Sequence, residues 1–124
     1  MRKIKVYKQY DIMQCGIACI KIICAYYGKD YSLDFLSKYC QATTEGVSLL
    51  GIMEATTELG FQTTCNRLSI FQLSEKKLPC ILHWNQNHFV VLYKIKQCKK
   101  FYVADPGKGL ITYSLEEFSK NWLS

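Results

Sequence analysis

"CILHWNQNHFVVLYKIKQCKKFYVADPGKGLITYS", residues 80–114, is where the hydrophobic period of this 124-residue chain becomes that of a sheet. "CILHW" and "HFVVLYKI" read as strands joined by a turn at "NQN". "FYVAD" is a third strand, "PGKG" a turn, and "LITYS" a fourth. Strands joined by connections this short pair antiparallel. Just beyond them, Ser114 and Glu117 have the spacing of a capping box, which predicts a last helix over Leu115–Trp122.

Upstream of Pro79 the period is helical. Asp11 is placed to cap a helix, with Gln14 three residues on as its capping-box partner. The helix is expected to run to about Tyr27 and stop at Gly28. Cys15, Ala18, Cys19, Ile22 and Tyr26 recur along one of its faces. Ser32 is placed to cap a second helix, Leu33–Cys40, and Ser48 a third, Leu49–Leu59, closed by Gly60. "FQTTCNRL", residues 61–68, reads as a strand, and Ser69 with Gln72 as a capping box for a short helix to about Lys77. The opening "MRKIKVYKQY" is expected to be a short strand or an extended arm. Helices first and a mainly antiparallel sheet after them make an α+β domain.

The length fits a single domain over 1–124. Hydrophobic residues at 49% and charged ones at 21% are those of a globular chain, which argues against disorder. The net charge is +6. Lys3, Lys5 and Lys8 form one basic group; Lys94, Lys96, Lys99 and Lys100 form another around Cys98. Without an arginine-rich stripe or base-stacking aromatics, these read as solvated faces rather than a nucleic-acid surface. Anionic lipid heads or an acidic partner would also suit them. No apolar run reaches the ~18 residues of a membrane span, and Lys21 interrupts the longest. Nor does a signal-peptide core follow the basic start, so a cytoplasmic location is expected. The seven cysteines are odd in number and contain no CxxC pair, as expected of reduced thiols packed as small apolar residues.

The chain has two histidines, His83 and His88. His88 opens a strand and Asp105 ends the next one, so antiparallel pairing brings them side by side. There the aspartate is expected to accept the Nδ1–H of His88 and fix its tautomer. Cys15 falls near the start of its helix, where unpaired N–H groups and the positive dipole end favour thiolate. Gly16 lets a substrate backbone approach, and Gln9 is placed to donate an amide N–H to an oxyanion near the sulfur. Taken together, these make Cys15 a nucleophile, His88 its base, Asp105 the orienting group and Gln9 an oxyanion donor. Taken singly, each has a plainer reading: a packed cysteine, a surface histidine, a turn aspartate and an unremarked glutamine. Cys19, Cys24, Cys40, Cys65, Cys80 and Cys98 read as structural. A metal site on Cys15 and Cys19 with His83 or His88 is the rival, but zinc sites favour two tight ligand pairs, so none is expected.

Three blocks then carry a family resemblance. "QYDIMQCGIACI", "ILHWNQNHFVVL" and "VADPGKGLITYSLEEFSKNW" resemble, in order, the motifs of the double-glycine leader peptidases. These are papain-like cysteine peptidase domains at the N-terminus of bacterial peptide- and bacteriocin-exporting ABC transporters. "EGVSLLGIMEATTELGF" is similar to their middle helix, and Trp122 matches a late tryptophan. The string around the cysteine of papain itself is absent, and His88 follows Cys15 far sooner than the ~130–150 residues of that group. The resemblance implies a papain-like fold and cleavage of a leader after Gly-Gly or Gly-Ala. It places the nucleophile on Cys15, the base on His88, the third member on Asp105 and the oxyanion glutamine on Gln9. Implied partners are the leader of a secreted precursor and the membrane and nucleotide-binding domains of a transporter, at the cytoplasmic face of the membrane. No cofactor is implied in this chain; it has no P-loop, so ATP is expected in a separate nucleotide-binding domain. The alternative is a leader-binding domain that recruits cargo without cutting, but such members lack the cysteine that this chain keeps. Gln14 departs from the aspartate that many relatives carry before the cysteine.

Overall fold

The computed structural model describes residues 4–5, 15–38, 49–63, 67–85 and 88–122. Three helices come first: α1 (Cys15–Tyr26), α2 (Leu33–Ser37) and α3 (Leu49–Glu58). A one-turn helix, α4 (Ile70–Ser74), leads to the strands β1 (Cys80–Trp84), β2 (His88–Lys96), β3 (Lys100–Asp105) and β4 (Gly109–Ser114), and α5 (Leu115–Asn121) follows. None of the described helices is long and apolar enough to cross a membrane.

Local chemistry explains the helix ends. Gly28 and Gly60 take φ 83 and 95, a conformation that costs glycine nothing. Each closes a Schellman turn: Gly28 N–H donates to Ala25 O and Lys29 N–H to Cys24 O, while Gly60 N–H donates to Thr57 O and Phe61 N–H to Thr56 O. At the N-termini, Ser32 accepts from Phe35 N–H, and Ser69–Gln72 and Ser114–Glu117 form complete capping boxes. The proposed caps Asp11 and Ser48, and the opening arm apart from residues 4–5, lie outside the described residues.

The sheet has the order β1-β2-β3-β4, all antiparallel. Because side chains alternate, it buries two separate faces. Phe89, Val91 and Ala104 meet Ile17, Ile20 and Cys24 of α1, with Leu36 of α2 and Ile52 of α3 behind them. Leu82, Trp84, Val90, Leu92, Phe101 and Val103 meet Leu73 of α4 and Phe118 of α5 on the other side. On that side Phe101 and Phe118 stack with ring centroids 4.3 Å apart, and Trp84 packs against both Phe118 and Tyr113. An isolated bridge from Trp84 to Trp122, and a bond from Asn85 N–H to Asn121 O, tie α5 to the end of β1 where β2 begins.

Three expectations are corrected, one of them at α4, which ends at Ser74 rather than about Lys77. Residues 61–63 and 67–68 form no strand, and 64–66 lie outside the described residues. Phe61 is held in the turn that closes α3, which takes it out of any ladder. Helix α2 ends at Ser37 rather than Cys40.

Candidate active site

His88 is the first residue of β2 and Asp105 the last of β3. Val91 pairs with Ala104, so one step on Asp105 stands across from Val90, two residues along from His88 on the same face. The relation is a diagonal rather than the side-by-side one expected, and the two side chains span it. His88 Nε2 lies 2.7 Å from Asp105 Oδ1. The nitrogen expected to bond the aspartate was the other one, Nδ1. Strand register sets where the two Cα atoms lie, but it does not set how the ring turns about χ2.

The segment after Asp105 is a β-turn with proline at its second position, closed by Lys108 N–H to Asp105 O at 3.1 Å. Gly107 N–H donates back to Asp105 Oδ1 at 2.8 Å, an aspartate turn of the usual kind. A β-carbon on Gly107 would sit 3.3 Å from Asp105 Oδ1 and 3.8 Å from His88 Cε1, so the turn runs close over the pair. Gly107 was missed as a contributor; the signal was the Asp-Pro-Gly string, read only as a turn.

Asp105 is 1% exposed, and its Oδ2 is buried with no hydrogen-bond partner among the described residues. Burial pushes its carboxyl pKa up, but the hydrogen bonds from His88 and Gly107, with the charges of His88 and Lys108, more than reverse this and hold it below the ordinary value. The carboxylate is therefore ionised at neutral pH, and it accepts the N–H of the His88 tautomer protonated at Nε2. His88 keeps 23% of its side chain exposed, so one edge of the pair faces solvent.

Cys15 is the first residue of α1, the helix that packs chiefly on β2. Gln9 lies outside the described residues. His83 pairs with Phe89 and stacks on its ring at 5.1 Å, on the opposite face of the sheet from His88. Cys19 and Cys24 are fully buried in the core. Burial raises the Cys24 thiol to about 11, against the pull of Lys29 and Lys21, and the Cys80 thiol to about 12. Cys98 is half-buried, and Cys40 and Cys65 lie outside the described residues. Among the described residues no group of three His, Cys, Asp or Glu side chains is placed to hold a metal ion.

An imidazole held by a buried carboxylate at a sheet end, in a chain whose helix α1 carries the Cys-Gly pair, fits a papain-like cysteine peptidase. The chain belongs to the Peptidase C39 family, whose model matches residues 3–124. It is 35% identical over 119 residues to the colicin V secretion/processing ATP-binding protein CvaB of Escherichia coli, covering 96% of this chain and 17% of that protein. It is 34% identical to the lactococcin-G-processing and transport ATP-binding protein LagD of Lactococcus lactis, covering 95% of this chain and 18% of that one. The chain thus spans less than a fifth of these curated relatives. Among solved structures it resembles a double glycine motif protease from an AMS/PCAT transporter in complex with the leader peptide. That match has a TM-score of 0.91 and 33% identity, covering 98% of this chain and 86% of the other. The peptidase domain of Streptococcus ComA matches with a TM-score of 0.88 and 26% identity, covering 97% and 93%.

Proposed function

We propose that this chain is the leader-removing domain of a peptide exporter. It cuts secreted bacterial precursors after a Gly-Gly or Gly-Ala pair, and it forms the N-terminal part of a longer ABC transporter. The observation that carries the reading is the 2.7 Å bond between His88 and buried Asp105, at the start of the strand on which helix α1 packs.

With Nε2 engaged by Asp105, proton exchange with the thiol falls to Nδ1 of His88. Cys15 gives its proton to Nδ1, and the thiolate attacks the carbonyl carbon of the last leader residue. Gln9 and a backbone N–H at the start of α1 hold the oxyanion. The tetrahedral intermediate collapses, the C–N bond breaks, and His88 returns the proton to the leaving amine. Water then attacks the thioester with His88 as base, which releases the leader and restores the thiol. Glycine or alanine at the cut lets the backbone approach closely, and Gly16 suits the same approach. The leader binds as an amphipathic helix with its apolar side against the domain. Transporter domains supply ATP binding and the pore, which puts this domain at the cytoplasmic face of the membrane.

The test is to incubate the chain with a precursor carrying a double-glycine leader and weigh the products. Two fragments divided after the second small residue are expected. Leader binding with no turnover would overturn the peptidase reading in favour of a cargo-recruiting domain.

Substitutions at Asp105 separate orientation from charge. In Asp105→Asn, Gly107 N–H keeps the amide oxygen at the Oδ1 position, because the flipped amide would set N–H against N–H. The acceptor for His88 survives, and activity is expected to stay within about tenfold, whereas Asp105→Ala should lose ~10²–10⁴-fold. The asparagine NH₂ then occupies the buried Oδ2 position, at a stability cost of about 1–3 kcal/mol. Because the folded pKa is depressed, the carboxylate's contribution is present above the ordinary value and lost as pH falls through the depressed one. Wild-type stability should therefore drop below pH ~4, and the asparagine variant should drop less steeply, as read by thermal unfolding against pH.

Gly107→Ala tests the close turn. Its β-carbon presses on Asp105 Oδ1 at 3.3 Å, so the carboxylate must move by a few tenths of an ångström. A fall in kcat of about tenfold is expected, with the unfolding midpoint nearly unchanged. Unaltered kcat would mean that the turn does not position the pair.

A further inference from the structure

We propose that the tip of the β2–β3 hairpin is a docking surface for an anionic lipid bilayer. The proposal rests on the transporter reading for the presence of a bilayer nearby; the rest of it comes from the sheet itself.

Lys94 pairs with Tyr102 and Lys96 with Lys100, so all four side chains lie on one face of the sheet. This is the face that α1 covers further along, at Phe89, Val91 and Ala104. Helix α1 has 12 residues and is about 18 Å long, while β2 has nine and reaches about 30 Å. Beyond the helix Lys94, Lys96, Lys99 and Lys100 are all exposed, and among the described residues none of them forms an ion pair.

The local sequence works against such a concentration of charge. Like charges directly across an antiparallel pair repel, and Lys96 and Lys100 are such a pair. The turn between them puts Gln97 and Cys98 at φ 55 and 54, a region that favours glycine or asparagine, and the chain has neither there. A partner that neutralises the charge removes the first of these costs. Two half-buried tyrosines border the lysines: Tyr102, under Lys94 Nζ at 5.2 Å, and Tyr93, 6.2 Å from the Tyr102 ring. Lysine with tyrosine, an anion-seeking head beside a ring with one wet end, suits the headgroup layer of a membrane. The tip lies eight residues along β2 from His88, about 26 Å away, so docking leaves the candidate site open.

The experiment is co-sedimentation of the 124-residue chain with vesicles of phosphatidylcholine alone, or with about a quarter phosphatidylglycerol. Precursor cleavage is measured on the same samples. Binding is expected only with phosphatidylglycerol, and it should be lost between roughly 0.05 and 0.5 M salt. Lys96→Gln with Lys100→Gln should weaken binding about 25-fold, near fivefold per lysine. The same charge change at exposed Lys76 and Lys77, on the loop after α4, should matter far less. The hairpin variant relieves a repulsion, so it should unfold no earlier than wild type and should cleave precursor at the wild-type rate. Equal loss in both double variants overturns the proposal, because net charge alone would then explain binding. So does failure to bind phosphatidylglycerol vesicles, including the case where the face instead captures soluble polyglutamate, which would make it a protein contact. Vesicle binding without precursor cleavage would count against the peptidase reading and leave the lipid surface standing; cleavage without vesicle binding would do the reverse.

Discussion

Cys15→Ala is expected to abolish cleavage of a double-glycine precursor, a loss on the order of 10⁶-fold, while the domain stays folded. Removing the sulfur removes the only atom proposed to form the acyl intermediate, and neither His88 nor an oxyanion donor can replace it. The fold should tolerate the change because alanine has the highest helix propensity and Cys15 lies in α1. The variant should still bind the leader, since the nucleophile does not carry that affinity. The measurement pairs product masses with the unfolding midpoint and with leader titration. Undiminished cleavage would place the nucleophile elsewhere. Cys24 and Cys80 are poor substitutes, because burial holds their thiols up at about 11 and 12 and so protonated at neutral pH.

Much of the frame was legible because it depends on short-range chemistry. The boxes at Ser69–Gln72 and Ser114–Glu117, and the glycines at 28 and 60, are written in spacing and in residue type. The four strands follow from alternation around turn residues, and their bounds differ from the expected ones by at most one residue. What failed lies where the alternation of side chains competes with another determinant. Residues 61–63 alternate as a strand should, yet the Schellman turn after α3 takes Phe61. The shift in register between Leu92 and Lys94 leaves no mark in the pattern, but it sets which residues face α1 near the hairpin tip.

The candidate site divides in the same way. The positions of His88 and Asp105 at neighbouring strand ends could be read from chain order, because a short hairpin fixes both the pairing and its direction. The atoms that meet could not: spacing carries no information on a ring rotamer, and it is Nε2 rather than Nδ1 that meets Asp105 Oδ1, which Gly107 N–H also holds. That choice matters chemically. A carboxylate on Nε2 leaves Nδ1, nearer the backbone, as the proposed proton carrier for sulfur.

His88→Ala is therefore expected to cost nearly as much as losing the sulfur, on the order of 10⁴–10⁶-fold in kcat/KM. Two steps fail at once. The thiol loses the base that makes it thiolate, and the leaving amine loses its acid. The first can be read without any peptide substrate, from the rate of iodoacetamide modification at Cys15 against pH, with each cysteine followed by peptide mass. In the wild type the midpoint should lie below 7, as for a thiolate paired with imidazolium, and in the variant it should rise toward the ordinary thiol value near 8.5. Whatever depression remains below 8.5 measures the share held by the start of α1 alone. Asp105 supplies an internal control. Its carboxylate is depressed first by what His88 and Gly107 donate against the burial that raises it, so losing the imidazole leaves a buried charge held by one N–H. His88→Ala should accordingly lower the unfolding midpoint at pH 7 and recover part of the loss in acid, where the carboxyl is neutral. A variant with wild-type alkylation and an unchanged acid profile would mean that the imidazole neither activates the sulfur nor supports the aspartate.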